Sequence, residues 1–97
     1  VHTLQAQIQR NDDLWVLDVR QKGEWHSGHI QHATFITGAE LPKRLDEVPR
    51  DRPIAVICGS GYRASVAASL LLHHGRRNVA NVLGGMSAWQ QAGYETV

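Results

Sequence analysis

A single cysteine, Cys58, stands among 97 residues, so no internal disulfide can form and stability does not depend on an oxidising compartment. No apolar run approaches the ~18 residues of a membrane-spanning helix, and the start lacks a signal-peptide pattern. An excess of either charge is also missing: ten Lys and Arg stand against nine Asp and Glu, and a net charge of +1 gives no general attraction to nucleic acid or membrane. Repeats and low-complexity segments are absent too. What remains, 42% hydrophobic and 20% charged residues, is ordinary for a globular chain. One domain over residues 1–97 is expected, burying ~60–65% of its unfolded surface, with no room for a second. A cytoplasmic location is the default. The start at Val1 instead of methionine suggests a piece excised from a longer chain, from which a targeting segment could have been removed.

The chain is organised around Pro53 to Gly75, PIAVICGSGYRASVAASLLLHHG. Ile54 to Ile57 are too few for a helix and rich in β-branched types, which predicts a buried strand ending at Cys58. After Gly59, Ser60, Gly61, Tyr62 and Arg63, the run Ala64 to His74 has the composition of a buried helix closed by Gly75 at its C′ position. A loop entering a helix N-terminus leaves several backbone N–H groups without intrahelical partners, aimed into one small space. The aligned peptides add roughly half a positive charge there, and Arg63 adds a full one. With positive φ at Gly59 and Gly61, successive N–H groups would curve into a cup around the Cys58 sulfur, a setting that favours an anion and hence a reactive thiolate.

Taken with LDVR at Leu17 to Arg20, Glu24-Trp25, GHI at Gly28 to Ile30 and LGGMSAW at Leu83 to Trp89, the segment CGSGYR makes the chain resemble the rhodanese-like sulfurtransferases over nearly its whole length. Each motif alone is weak, but all of them in the expected order are strong. The resemblance implies a catalytic Cys58 that opens a six-residue loop, Cys58 to Arg63, carries a persulfide and hands its outer sulfur to a nucleophile. It also implies that Gly59, Ser60, Gly61, Tyr62 and Arg63 bind substrate, and it calls for neither cofactor nor metal. The CGSG start is similar to mercaptopyruvate sulfurtransferases. The longer CGSGYRAS is more similar to rhodanese domains fused to metallo-β-lactamase-fold persulfide dioxygenases. The expected partners are therefore a small sulfur donor, a thiol acceptor and a metallo-β-lactamase-fold domain, fused or associated.

Strands alternating with helices predict an α/β fold, an open parallel sheet of four to five strands with helices on both faces. The resemblance makes this fold rhodanese-like. Four strands are expected from Leu14, Ile30, Ile54 and Val79, and the family's fifth would leave its remnant at Val1-His2. Thr3 is expected to cap a first helix, with Leu4 and Ile8 on one face and Asn11, Asp12 and Asp13 breaking it. Leu14 to Val19 should carry Asp18 and Arg20 to the ligand-facing edge of the sheet. Because a carboxylate beside an anion site would oppose binding, both are expected to be paired locally and to hold the loop, with Glu24 one helical turn on satisfying Arg20.

Gln21 to Ser27 reads as a helical turn closed by Gly28, and Ile30 to Ile36 as extended, with Gln31-His32 standing where the family usually has Pro-Gly. His26, His29 and His32 would share one face only if Gly28 and Gln31 stayed helical, and with no acidic or thiol ligand beside them they read as surface and turn residues. Glu40 to Glu47 predicts a short amphipathic helix with Pro42 in its first turn. Arg76 and Arg77 are expected in solvent, or against a partner domain. Gly84-Gly85 should turn into a helix whose Met86 and Trp89 pack in the core.

In the expected chemistry Cys58 attacks the sulfane sulfur of thiosulfate, glutathione persulfide or mercaptopyruvate, and a thiol or cyanide then takes the outer sulfur. Ser60 is a hydrogen-bond donor to either sulfur. Arg63 either attracts anionic donors or anchors the loop from outside, and Tyr62 either lines the entrance or faces solvent or a partner. A cysteine phosphatase is the enzymatic rival, but that type places arginine six positions after the cysteine, where this chain has Ala64. A non-catalytic interaction or regulatory module is the other rival, and the presence of Cys58 argues against it. Gly59, where some thiosulfate enzymes of the family carry a basic residue, predicts a preference for persulfide or mercaptopyruvate over thiosulfate.

Overall fold

Alternation along two strands sets the architecture. Leu17, Val19, Ile54, Val56 and Cys58 point to one face, while Val16, Ala55 and Ile57 point to the other, and all are buried. With both faces apolar, such strands are stable only when covered on both sides, which is the condition of a parallel α/β sheet. The structure, a computed structural model, describes residues 1–10 and 13–97. Its parallel sheet has the order β2-β1-β3-β4, from strands β1 Trp15–Asp18, β2 Thr34–Phe35, β3 Ile54–Ile57 and β4 Val79–Asn81.

Four α-helices among the described residues complete the fold: α1 His2–Gln9, α2 Lys22–His26, α3 Tyr62–His73 and α4 Gly85–Gln91. Helix α3 covers one face through Ala64, Ala67, Ala68 and Leu71, joined by Leu41 and Val48. Helices α1 and α4 cover the other through Leu4, Met86 and Trp89. Small residues on α3 let its axis lie close to the sheet, and Leu71, fully buried, contributes ~2 kcal/mol of apolar transfer. Helix α3 ends in a Schellman motif at Gly75, where the Gly75 N–H reaches the Leu72 carbonyl and the Arg76 N–H that of Leu71.

Several expectations change. The first helix begins at His2, because the Gln5 N–H bonds the Val1 carbonyl, so Val1 and not Thr3 is the N-cap and His2 is no strand remnant. Asn11 and Asp12 lie outside the described residues, and Asp13 pairs with Arg52. Strand β2 is only two residues long. A turn joins the Ala33 N–H to the Ile30 carbonyl, and His32 takes φ 69°, filling a left-handed position without glycine. The expected helix from Glu40 to Glu47 is a pair of 3-10 turns, Leu41–Lys43 and Leu45–Glu47. Arg76 is buried, donating to the carbonyls of His74, Val48 and Leu45, while Arg77 is exposed.

Candidate active site

Strand order reverses between β1 and β3, whose connections leave toward opposite ends of the sheet, so a crevice opens at their C-terminal ends. Cys58 comes directly after β3 there, and the turn from Asp18 into α2 comes after β1. The Cys58 side chain is fully buried, and its Sγ accepts the Gly61 N–H at 3.1 Å and the Ala64 N–H at 3.3 Å. Helix α3 starts at Tyr62, two residues earlier than expected, so Arg63 lies in its first turn. Gly61 is the N-cap at φ 114°, which only glycine adopts readily and which turns its N–H onto the sulfur. Asn81 at the end of β4 steadies this bend by donating to the Gly61 carbonyl at 3.3 Å.

Gly59 is not among the residues with positive φ, against expectation; its open face is covered by the flexible end of Arg63, whose Nη2 lies 2.9 Å from where a Cβ would stand, with Glu24 Oε2 at 3.5 Å. Arg63 lies over the loop in a two-point pair with Glu24, Nη1–Oε1 2.6 Å and Nη2–Oε2 2.9 Å. Glu24 is thus not the partner of Arg20. Arg20 instead forks onto Asp18, with Nη2–Oδ2 at 2.8 Å, and gives its remaining reach to the Gly28 carbonyl at 2.8 Å. Both ions are buried and held locally, as expected, but by each other and not through Glu24, and the pair fixes the turn after β1.

Hydrogen bonding from Arg63 is the main cause that holds the Glu24 carboxyl at about 2 instead of 4.5. The guanidinium is raised in turn, first by that hydrogen bond and to a lesser degree by the Cys58 sulfur. Glu24 Oε1 also accepts the Gln21 N–H at 2.9 Å in a capping box, so α2 holds the carboxylate in place.

Ser60 is exposed on the loop, and backbone N–H groups hold the sulfur where its hydroxyl was expected to. Tyr62, 77% exposed, borders a 540 Å³ groove between α3 and the Leu41–Pro42 turn. Met86 and Trp89 are core residues, as expected. His29 stacks on Trp25 with ring centroids 3.5 Å apart, and its Nδ1 lies 2.9 Å from the Trp25 carbonyl oxygen. Among the described residues, no three His, Cys, Asp or Glu side chains come close enough to hold a metal ion.

Two contributors escaped sequence reasoning. One is Glu24 as the partner of Arg63, since local spacing rules do not reach across 39 positions. The other is the start of α4, where the N–H groups of Met86 and Ser87 bond the carbonyls of Cys58 and Gly59 at 2.7 and 3.0 Å. Gly84-Gly85 reads as a turn in the sequence, and nothing local shows what the turn presses against.

A rhodanese-like domain model matches residues 1–92. The chain is 30% identical over 95 residues to a sulfurtransferase of Allochromatium vinosum, covering 98% of this chain and 89% of that protein. It is also 30% identical to the thiosulfate sulfurtransferase GlpE of Pseudoalteromonas translucida, covering 89% and 82%. Among solved structures, the rhodanese-related protein of Thermoplasma volcanium superposes with a TM-score of 0.88 at 34% identity, covering 97% and 90%.

Proposed function

This chain belongs to the rhodanese-like domain family, and we propose that it is a sulfurtransferase that carries a sulfane sulfur as a persulfide on Cys58. The observation that carries this reading is the Cys58 sulfur seated on the N–H groups of Gly61 and Ala64 at the start of α3. Such a cup stabilises the Cys58 thiolate that attacks the donor.

In the proposed cycle the Cys58 thiolate attacks the terminal sulfur of thiosulfate or of glutathione persulfide, or the lone sulfur of mercaptopyruvate, whose C–S bond breaks as the pyruvate enolate leaves with the electron pair. With thiosulfate, the new S–S bond forms as the old one breaks, and sulfite departs with the electron pair. The product, Cys58–S–S⁻, keeps one negative charge at the helix start. A thiolate acceptor then attacks the outer sulfur, forming its own persulfide and releasing the Cys58 thiolate. Ser60 and Tyr62 stand at the rim, where donor and acceptor enter in turn. We propose mercaptopyruvate or glutathione persulfide as better donors than thiosulfate, because the loop carries no basic side chain beyond Arg63, and Arg63 is already paired. That commitment also disfavours a phosphatase, which needs a free guanidinium to grip the phosphate.

Intact mass spectrometry tests the reading. After incubation with each donor, the protein should gain one sulfur atom, removable by cyanide or dithiothreitol, and Cys58→Ser should gain none. Failure to gain sulfur from any of the three donors would refute it.

A further inference from the structure

Arg63 carries the loop's one full positive charge, yet both ends of its fork lie on Glu24, at 2.6 and 2.9 Å. Each ion is also held on its other side, with both side chains more than a third exposed. Glu24 is tied to the Gln21 N–H, and the pair lies against the bare face of Gly59, with Arg63 Nη2 only 2.9 Å from where a Cβ would be. At the rim of the sulfur site an incoming anion therefore meets a neutral ion pair. The attraction left to it comes from the N–H cup and the start of α3, worth partial charges and not a full one.

We infer that Glu24 is a specificity-determining residue: by neutralising Arg63 it discriminates against doubly charged donors such as thiosulfate relative to singly charged ones such as mercaptopyruvate. The effect acts through Arg63, since Glu24 itself makes no bond to the sulfur, and it rests on the sulfurtransferase reading of the site. Coulomb energy is linear in the donor's charge, so whatever factor a monoanion gains on losing Glu24, a dianion gains squared. An unmasked cation at the rim of the site, partly screened by water, is worth roughly tenfold to a dianion and about threefold to a monoanion.

A double-mutant cycle over Glu24→Gln and Arg63→Ala tests this, with two readouts. Binding is followed in a Cys58→Ser background by NMR titration of the Gly61 and Ala64 amides with thiosulfate and with mercaptopyruvate. Sulfur transfer is followed with Cys58 intact. Glutamine keeps the side-chain oxygen that accepts the Gln21 N–H, so α2 remains capped.

Glu24→Gln should tighten thiosulfate binding and lower its KM about tenfold, with about threefold for mercaptopyruvate and little change in kcat. Arg63→Ala should weaken thiosulfate binding, by exposing the carboxylate, and the double variant should return to within about twofold of the parent. High salt should shrink every one of these differences. A purely structural role for Glu24 predicts instead that both donors lose by the same factor, and that result, or unchanged thiosulfate binding in Glu24→Gln, overturns the inference. If Glu24→Gln fails to fold, unweakened thiosulfate binding in Arg63→Ala overturns it equally. Because binding is read without turnover, a protein that takes up no sulfur but shows the charge series refutes the transferase reading and upholds the role of Glu24.

Discussion

At the scale of single residues, Gly85 shapes the reactive loop and the Asp18–Arg20 pair the turn after β1. A Cβ on Gly85 would lie 2.3 Å from the Cys58 carbonyl oxygen and 2.7 Å from that of Gly59, both backbone atoms that cannot swing aside. Gly85→Ala should therefore push the loop off the start of α4, breaking the Met86 and Ser87 bonds to it. We expect a loss of ~2–4 kcal/mol in urea unfolding. Sulfur uptake should slow by on the order of 10²-fold, because a misplacement of ~1 Å has that effect on a reacting pair. Wild-type uptake rates in Gly85→Ala would refute the clamp. Asp18 and Arg20 are the second case: Asp18→Asn leaves a buried guanidinium facing a neutral amide and should destabilise by ~3 kcal/mol. A change below ~1 kcal/mol in chemical denaturation would show that the fork is dispensable. Sequence reasoning held Asp18 and Arg20 locally but assigned Arg20 to Glu24, one helical turn on, and not to its neighbour two positions away. It could not assign Glu24, whose true partner is brought near only by the folded sheet edge.

At the scale of elements, β3 and α3 are legible from sequence because local and tertiary preferences agree: a β-branched run, a glycine at each turn, an alanine-rich helix and a Schellman glycine. Where the two conflict, the reading fails. Glu40 to Glu47 has helical spacing, but with Pro42 and Pro49 at its ends it is too short for a stable α-helix and settles as two 3-10 turns. Those turns are held by a residue the sequence placed in solvent. Arg76, just past α3, donates to the carbonyls of Leu45, Val48 and His74, so one side chain ties the helix end to the turns. Burial, with Arg50 as a lesser cause, shifts its guanidinium downward, and the carbonyls supply the compensation. Arg76→Ala should strand these carbonyls and lower stability by ~2–4 kcal/mol, moving the urea midpoint while the slope stays constant. Sulfur loading per folded molecule should not change, since Arg76 lies beyond the far end of α3 from Cys58. A loading defect in the folded fraction would mean that the turns shape the site.

At the scale of the whole molecule, the Glu24–Arg63 pair joins α2, the helix after β1, to the start of α3, the helix after β3, closing the open end of the sheet between residues 39 positions apart. Such a link makes folding sensitive to acid in a predictable direction. The Glu24 carboxyl is lowered from 4.5 to about 2 in the folded protein, so the stabilisation is fully present above about pH 4.5 and is lost as the pH falls toward 2. Because both side chains are more than a third exposed, water screens the pair and the linkage is worth less than the shift alone implies. The difference between wild type and Glu24→Gln isolates this contribution from every other carboxylate. In urea unfolding at low ionic strength, wild type should be the more stable of the two near pH 6, and the gap should narrow between pH 4.5 and 2 as the carboxylate is protonated. Added salt should narrow it at every pH. A gap that stays constant across that whole range would mean that Glu24 stabilises the fold through the shape of its capping box and not through its charge. The neutral rim on which donor discrimination depends would then lose its physical basis.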